Sequence, residues 1–426
     1  MTERPSSKRL YREAIELLLS AIYWRGGGLK TSFMFGRPGA HHYERHMGVE
    51  FTYRQKELIR AVLFVRRHGP AYLRMISLND VRSALTTFLS ENYWHLVDET
   101  FAQSFDCSFA EHISDGPKQD LALALEQSKL FRPKQLLAVF PLATVTVRQD
   151  FDSDTFFIVK PLGLDHRRIP EHVSQRWLKP DQFPPMRDWK GITHAPSAWL
   201  GVRSPALLAA KKMRSAILGA FALVQHPMER YLFTGRKTFG GYCILGESFT
   251  TSIGDSHTPP IGDDIVLTEQ DHAWLGRLND KLLSNDRHDR KHLKALEYFY
   301  RAWPYDPAER FPVLFMALDA LFEAGEGESE GVTRTVMAGV RSLLGDEFSD
   351  ERLRLLIRLR GSVIHGGAPD VYDSRKYARY WSDYGEDPIR DLERITAACL
   401  RRAVFDDTLA EHPHTHADLI AKRMAE

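Results

Sequence analysis

The C-terminal fold is decided by the stretch Leu353-Arg-Leu-Leu-Ile-Arg-Leu-Arg-Gly-Ser-Val-Ile-His-Gly-Gly367. At about 100° per residue its leucine, isoleucine and valine side chains form one wide apolar arc, which predicts a helix packed inside a bundle. Arg360 falls inside that arc. Because an isolated guanidinium there carries a heavy desolvation cost, it needs an acidic partner or a wet cleft. Asp319 and Glu323 are the nearest acidic candidates by pattern.

Four more helices are predicted around this one. Cap residues and apolar spacing place them at about 291–303, from Pro307 onward, at about 332–344 and at about 387–410. The connections are short except for an acidic linker, Gly325–Gly331. Residues 286–426 are therefore predicted to form an all-α helical bundle.

The central stretch also carries a family resemblance. The string LRLLIRLRGSVIHGG resembles the signature of HEPN domains, in which an arginine and a histidine are separated by about four to six residues. The preceding segment FPVLFMALDALFEAG resembles the second helix of the Apea-like HEPN branch. The resemblance covers roughly residues 290–410. Two positions depart from the family pattern, since Asp319 replaces a common glutamate and Gly361 a frequent polar residue.

This resemblance implies a ribonuclease that works without a metal or another cofactor. In HEPN ribonucleases the 2′-hydroxyl of the RNA attacks the adjacent phosphate and leaves a 2′,3′-cyclic phosphate. His365 would transfer protons, because histidine titrates near neutral pH. Arg360 would hold the phosphate with its planar fork. Asp319 would orient one of these two side chains, and Ser362 would add a hydrogen bond to the phosphate.

Helix geometry separates the two residues of this pair. Arg360 and His365 point about 140° away from each other on a regular helix. In HEPN proteins two protomers usually pair so that both motifs line one cleft. The resemblance therefore implies a homodimer that forms through the helical bundle.

A non-catalytic interpretation stays open. Arg360 would then be a structural arginine tied to Asp319 or Glu323, and His365 a cap residue favoured by the helix dipole. The HEPN family includes members that bind RNA or a nucleotide without cutting it. The alternative function is therefore a binding and dimerisation scaffold.

Residues 371–384, with the sequence VYDSRKYARYWSDY, interleave basic and aromatic side chains. Rings stack on unpaired bases while cations meet phosphates, which predicts contact with single-stranded or loop RNA, tRNA included. The candidate RNA-binding residues are Tyr372, Arg375, Lys376, Tyr377, Arg379, Tyr380 and Trp381. The same aromatic residues would equally serve to pack the last helix or to form the dimer contact.

Composition predicts a cytoplasmic globular protein. The chain of 426 residues is 43% hydrophobic and 27% charged, with a net charge of +1, so any RNA contact must come from a local basic patch. Its three cysteines form no disulfide or zinc pattern, which fits a reducing compartment. The longest apolar run is far short of the ~20 residues that span a bilayer, so no membrane contact is expected.

The rest of the chain completes an α+β fold. Residues 1–130 are predicted to form a mainly helical region. Residues 131–285 are predicted to form a smaller α+β region with a hairpin of strands at 136–147 and 156–159, a connector at 161–205, a helix at 206–225 and strands at 230–234 and 240–251. This layout resembles that of bacterial anti-phage abortive-infection proteins. It implies a toxic effector held in check by the regions ahead of the bundle, which would respond to a phage-derived trigger.

Overall fold

The computed structural model describes residues 7–26, 28–36, 47–101, 103–170, 186–188, 193–194, 196–224, 238–246, 249–255, 257–258, 264–322, 332–364 and 370–409. The chain has a mixed α+β fold, as predicted, and divides into two compact units, Met1–Gln135 and Leu136–Glu426. Among the described helices, none combines the length and the apolar character needed to cross a membrane.

The first unit is mainly helical, as its sequence predicts. Its helices are α1 (Ser7–Leu19), α2 (Gln55–His68), α3 (Leu78–Asn92), α4 (Val97–Thr100), α5 (Phe109–His112) and α6 (Asp115–Gln127). It also holds an antiparallel sheet that was not predicted, with strands in the order β1 (Ile22–Tyr23), β3 (Met47–Tyr53) and β2 (Leu29–Phe35). Ile22 and Tyr23 pair with β3, so the first helix ends before them, at Leu19.

A large sheet forms the first part of the second unit. Its strands are β4 (Leu136–Leu142), β6 (Phe151–Asp152), β7 (Phe156–Val159), β8 (Met186–Asp188), β9 (Thr193–His194), β10 (Ala198–Ser204), β11 (Thr238–Leu245) and β12 (Phe249–Asp255). The order is β6-β7-β10-β4-β11-β8-β9, and β12 also pairs with β11. Beside this sheet, β5 (Val145–Val147) pairs in parallel with β13 (Ile265–Leu267).

Two predictions about this sheet were wrong. The strands near 136–147 and 156–159 do not form a hairpin, because β10 lies between β4 and β7 and pairs with both. The predicted connector at 161–205 therefore contains an almost wholly buried strand. The hairpin that does form in this region is shorter and joins β6 to β7. Residues 230–234, predicted as a strand, lie outside the described residues.

Helices form the rest of the second unit, and six of the eight that the structure describes have bounds close to those predicted. They are α7 (Leu207–Val224), α8 (His272–Leu283), α9 (Arg287–Ala302), α10 (Pro307–Phe322), α11 (Val332–Leu344), α12 (Asp350–Ile364), α13 (Arg375–Tyr384) and α14 (Pro388–Phe405). The segment that was predicted as a basic and aromatic surface is thus itself a helix, α13. It begins at a Ser374 cap and ends at Gly385, whose φ of 67° favours glycine.

The helix α7 joins the sheet to the bundle. It packs against both β10 and α9. At the crossing with α9, a Cβ added to Gly219 would lie 2.2 Å from the carbonyl oxygen of Leu296, so only glycine permits this approach. The predicted division of this part of the chain at residue 285 is therefore replaced by one unit that begins at Leu136.

A buried carboxylate ties α12, α13 and α14 together. Asp391 is fully buried and accepts hydrogen bonds from Arg352 Nε at 2.7 Å and from the Tyr380 hydroxyl at 2.5 Å. Arg352 Nη2 contacts the same carboxylate oxygen. Burial raises the pKa of Tyr380, so its hydroxyl stays a donor. This cluster fixes the register of α12, the helix that carries Arg360.

Gly219→Ala is expected to lower the free energy of unfolding by about 2 kcal/mol or more, because α7 and α9 must separate to admit the methyl group. The control is Gly276→Ala in α8, where a Cβ meets no atom of the described residues within 4 Å. Alanine should stabilise that helix by up to about 1 kcal/mol. Urea unfolding followed by circular dichroism measures both, and equal effects would contradict the proposed close packing.

Asp391→Asn is expected to cost about 3 kcal/mol of unfolding free energy, because it leaves the Arg352 guanidinium without its buried counter-charge. Asp383→Asn is the matched control, since Asp383 pairs with Arg379 on the exposed side of α13. Its effect should stay within about 0.5 kcal/mol. Urea unfolding midpoints at a constant m-value give the change in unfolding free energy for both variants. A loss below about 1 kcal/mol for Asp391→Asn would count against the structural role of the cluster.

Candidate functional site

Arg360 points from α12 toward α10, where it meets an acidic partner. Its Nη2 donates a hydrogen bond to Asp319 Oδ2 at 2.5 Å. The guanidinium carbon also lies 5.5 Å from the centre of the Phe315 ring. The two charged side chains are only 22% and 26% exposed. The partner expected from the apolar arc is therefore Asp319, and Glu323 lies outside the described residues.

This ion pair leaves hydrogen-bonding capacity unused. Within the described part of the chain, Arg360 Nε and Asp319 Oδ1 are buried and have no hydrogen-bond partner. Burial raises the pKa of Asp319, and the nearby Arg360 only partly opposes that rise. The contact is thus a single hydrogen bond rather than the two parallel bonds of a fully engaged guanidinium.

Ser362 lies on the opposite side of α12 and meets a different helix. It follows Arg360 by two positions, which on a regular helix turns it about 160° away. Its hydroxyl accepts a hydrogen bond from Lys376 Nζ on α13 and lies 3.2 Å from the carbonyl oxygen of Arg358. Within a single chain the helix therefore presents Ser362 and the pair of Arg360 and Asp319 to different neighbours, and the phosphate contact of Ser362 stays a prediction.

His365 lies outside the described residues, as do the two glycines that follow it. The helix α12 is described as far as Ile364, whose side chain is half exposed. The pairing of His365 with Arg360 therefore stays a prediction.

The helix α13 presents part of the predicted RNA surface to solvent. Tyr372 and Trp381 are 46% and 45% exposed. Tyr377 links them, because its ring packs edge-on against Tyr372 at 5.1 Å and its hydroxyl is hydrogen-bonded by Trp381. Arg375 and Arg379 are also exposed. These five residues form what we call the α13 surface.

Two residues of the predicted set do not belong to this surface. Tyr380 is fully buried and holds Asp391, so its ring has no face left for a base. Lys376 is half-buried, and its amine is engaged by Ser362. The contact between Lys376 and Ser362 nevertheless places the α13 surface beside the end of α12. The RNA-stacking role predicted for Tyr380 is therefore replaced by a structural one.

Sequence reasoning missed a second polar group in the same unit. Lys211 and Arg214 on α7 line a cleft together with His257 and Tyr242. The only sign of this cleft in the sequence is the presence of cationic residues within an otherwise apolar helix. The aromatic and histidine partners come from strands and loops far along the chain, and no spacing rule connects them to α7.

No protein-family model, no curated protein and no solved structure matches this chain. The chain is thus characterised by its own architecture, an α+β fold with a helical C-terminal part in which Arg360 and Asp319 form a half-buried pair between α12 and α10, while the basic and aromatic helix α13 packs against α12.

Proposed function

We propose that the helical C-terminal part of this chain is a metal-independent RNA endonuclease of the HEPN type, which acts in the cytoplasm. The observation that carries the proposal is the half-buried Arg360 near the end of α12, which donates a single hydrogen bond to Asp319. A guanidinium in this state keeps donors for a phosphate. The adjacent α13 surface offers exposed rings and cations for unpaired RNA.

The proposed reaction divides the chemistry between the arginine and the histidine. Arg360 binds the scissile phosphate and stabilises the charge that develops on its oxygens. His365 accepts the proton of the ribose 2′-hydroxyl as that oxygen attacks phosphorus. The bond from phosphorus to the 5′-oxygen breaks, and that oxygen takes up a proton. The products are a 2′,3′-cyclic phosphate and a 5′-hydroxyl end.

Asp319 controls how readily Arg360 meets the phosphate. The Asp319 carboxylate holds the guanidinium through one hydrogen bond only, and the guanidinium therefore keeps other donors for the phosphate. In the transition state the dianionic phosphate then displaces the Asp319 carboxylate from part of the Arg360 guanidinium. We propose that two bundles pair so that a second protomer's motif completes the cleft, since Ser362 and Arg360 face opposite sides of one helix.

The biological role proposed is that of a regulated toxin in bacterial anti-phage defence. The unit Met1–Gln135 would respond to a phage-derived trigger, and the nuclease would then cut cellular RNA, with tRNA loops among the candidate substrates. This role rests on the layout of the chain and on the proposed ribonuclease.

A second candidate function is a non-catalytic HEPN scaffold that dimerises and binds RNA or a nucleotide. The contact between Arg360, Asp319 and Phe315 favours it, because a guanidinium that is paired and packed on a ring is also what a structural arginine looks like. The two functions differ in whether RNA is cut.

Purified protein is expected to cleave total RNA in the presence of EDTA and to leave 2′,3′-cyclic phosphate ends. Arg360→Ala and His365→Ala should each slow cleavage by about a hundredfold or more, because they remove phosphate stabilisation and proton transfer. Gel analysis with end-mapping measures both.

The matched control is Arg354→Ala, which removes a half-exposed arginine from the same helix. It should cleave at the wild-type rate. Equal background in wild type and both site variants would favour the scaffold. Cleavage by wild type that stops in EDTA would rule out the metal-independent mechanism.

Trp381→Ala is expected to weaken binding of single-stranded RNA by at least about fivefold, because each stacked base contributes roughly 1–3 kcal/mol. A 2′-deoxy oligonucleotide of the same sequence keeps the ligand uncut during a fluorescence anisotropy titration. Tyr380→Phe is the control, because it removes only a buried hydroxyl. The stability of the protein should fall, and its affinity for RNA should stay unchanged. A loss of affinity in the control that matches Trp381→Ala would contradict the assignment of the α13 surface.

A further inference from the structure

A cleft of about 320 Å³ opens beside the large sheet of the second unit, away from Arg360. It is lined by residues of α7, β11, β12 and α9, together with His257, which follows β12. Its volume falls at the lower end of the range of pockets that hold small molecules. A Cβ added to Gly254 on β12 would meet no described atom within 4 Å, which shows open space at that wall.

Two cationic side chains enter this cleft from α7. Lys211 Nζ donates a hydrogen bond to the Tyr242 hydroxyl at 3.2 Å and lies 4.4 Å from the centre of that ring. Arg214 packs over the rings of Phe140 and Tyr300 at 5.3 and 5.6 Å. Among the residues that the structure describes, neither cation forms an ion pair, and no carboxylate lines the cleft. The described wall of the cleft therefore carries positive charge with no facing carboxylate.

A neutral histidine orients Arg214. His257 Nδ1 lies 2.9 Å from Arg214 Nη1, and His257 Nε2 lies 2.5 Å from the carbonyl oxygen of Gly241. Since the guanidinium can only donate and the carbonyl can only accept, Nδ1 must be the acceptor and Nε2 must carry the hydrogen. Burial lowers the pKa of His257 to about 3, so the ring holds this form at neutral pH.

The scaffold around His257 is itself fixed. The Tyr300 hydroxyl donates a hydrogen bond to the main-chain oxygen of His257 at 2.7 Å. Arg214 Nε is buried and finds no hydrogen-bond partner in the described residues, while Nη2 makes only a 3.4 Å contact with Ser215. A buried histidine and a half-buried tyrosine thus orient a cation that pairs with no acid among the described residues. Such preorganisation is the pattern of an anion-binding site.

Tyr242 and Ser252 add hydroxyl groups to the same wall. They are direct partners across β11 and β12, and their side chains are hydrogen-bonded. The hydrogen bond from Lys211 lowers the pKa of Tyr242, as expected in a positive potential. Two cations and two hydroxyls that converge on one cleft match a phosphate, which carries up to two charges and several acceptor oxygens.

We propose that this cleft binds a small phosphate-bearing molecule, with Lys211 and Arg214 on the phosphate oxygens and the hydroxyls of Tyr242 and Ser252 completing the contact. The concave shape and the closure of one side by α9 favour a small ligand over the backbone of an RNA strand. This site stands apart from Arg360 and does not depend on the proposed ribonuclease.

The test is calorimetric titration of the full-length chain with inorganic phosphate, pyrophosphate and adenosine monophosphate, each in a buffer without phosphate. Saturable binding of at least one probe is expected, together with a melting temperature that rises with its concentration. Lys211→Gln and Arg214→Gln should each weaken that binding by about tenfold or more, because each removes a charge-assisted contact.

Lys212→Gln is the matched control, because it makes the same charge change on the same helix at a residue that does not line the cleft. It should change affinity less than about twofold. Arg214→Gln also removes a hydrogen-bond partner of His257 and can therefore disturb the wall of the cleft. Lys211→Gln and Gly254→Leu leave that hydrogen bond in place, so they test the site without this effect. Leucine at position 254 should fill the cleft and weaken adenosine monophosphate more than inorganic phosphate.

Three results would overturn the proposal. One is the absence of saturable binding by all three probes up to millimolar concentration. Another is an equal loss of affinity in Lys212→Gln, which would show a diffuse charge effect. The third is binding of single-stranded RNA that Lys211→Gln weakens but that none of the small phosphates competes away, which would assign the cleft to RNA. Because binding is measured without RNA cleavage, failure here leaves the ribonuclease proposal intact.

Discussion

The close packing of α7 on α9 is the constraint on which both candidate sites depend. The helices approach so tightly at Gly219 that a single methyl group would collide with the main chain of Leu296. One of these helices carries Lys211 and Arg214, and the other carries Tyr300 and packs along α10, which holds Asp319. A sheet and a helical bundle that sequence patterns separate at residue 285 are joined there into one unit.

Elements with a strong local signal were predictable from the sequence. The helix α10 begins at Pro307 and α14 has Pro388 in its first turn, and both carry apolar residues at helical spacing. The strand β10 was missed because it is buried on both faces, so its sequence AWLGVRS lacks the alternation of a half-exposed strand. Its place between β4 and β7 depends on pairings across about 40 to 70 residues, which local pattern does not encode.

The candidate site was predictable in part for the same reason. A guanidinium in an apolar arc requires an acid, and that requirement led to Asp319. Neither the separation of Ser362 from Arg360 nor the burial of Tyr380 follows from spacing, because both depend on which helix faces which. Basic and aromatic residues on a short segment look alike in sequence whether they bind RNA or close a core. Only the packing of α13 on α14 through Asp391 separates Tyr380 from its exposed neighbours.

The two sites share one mechanical element, the helix α9. Tyr300 on α9 supports the loop of His257 and forms part of the cation cleft, while the same helix packs along α10 beside Asp319. Because tightly packed helices move as units rather than deform, the position of α9 is coupled to those of α7 and α10, on which it packs most extensively. At Gly219 the helices α7 and α9 are already in close contact and cannot approach further. The ion pair of Arg360 and Asp319 depends in turn on the position of α10, because a single hydrogen bond joins that helix to α12 there.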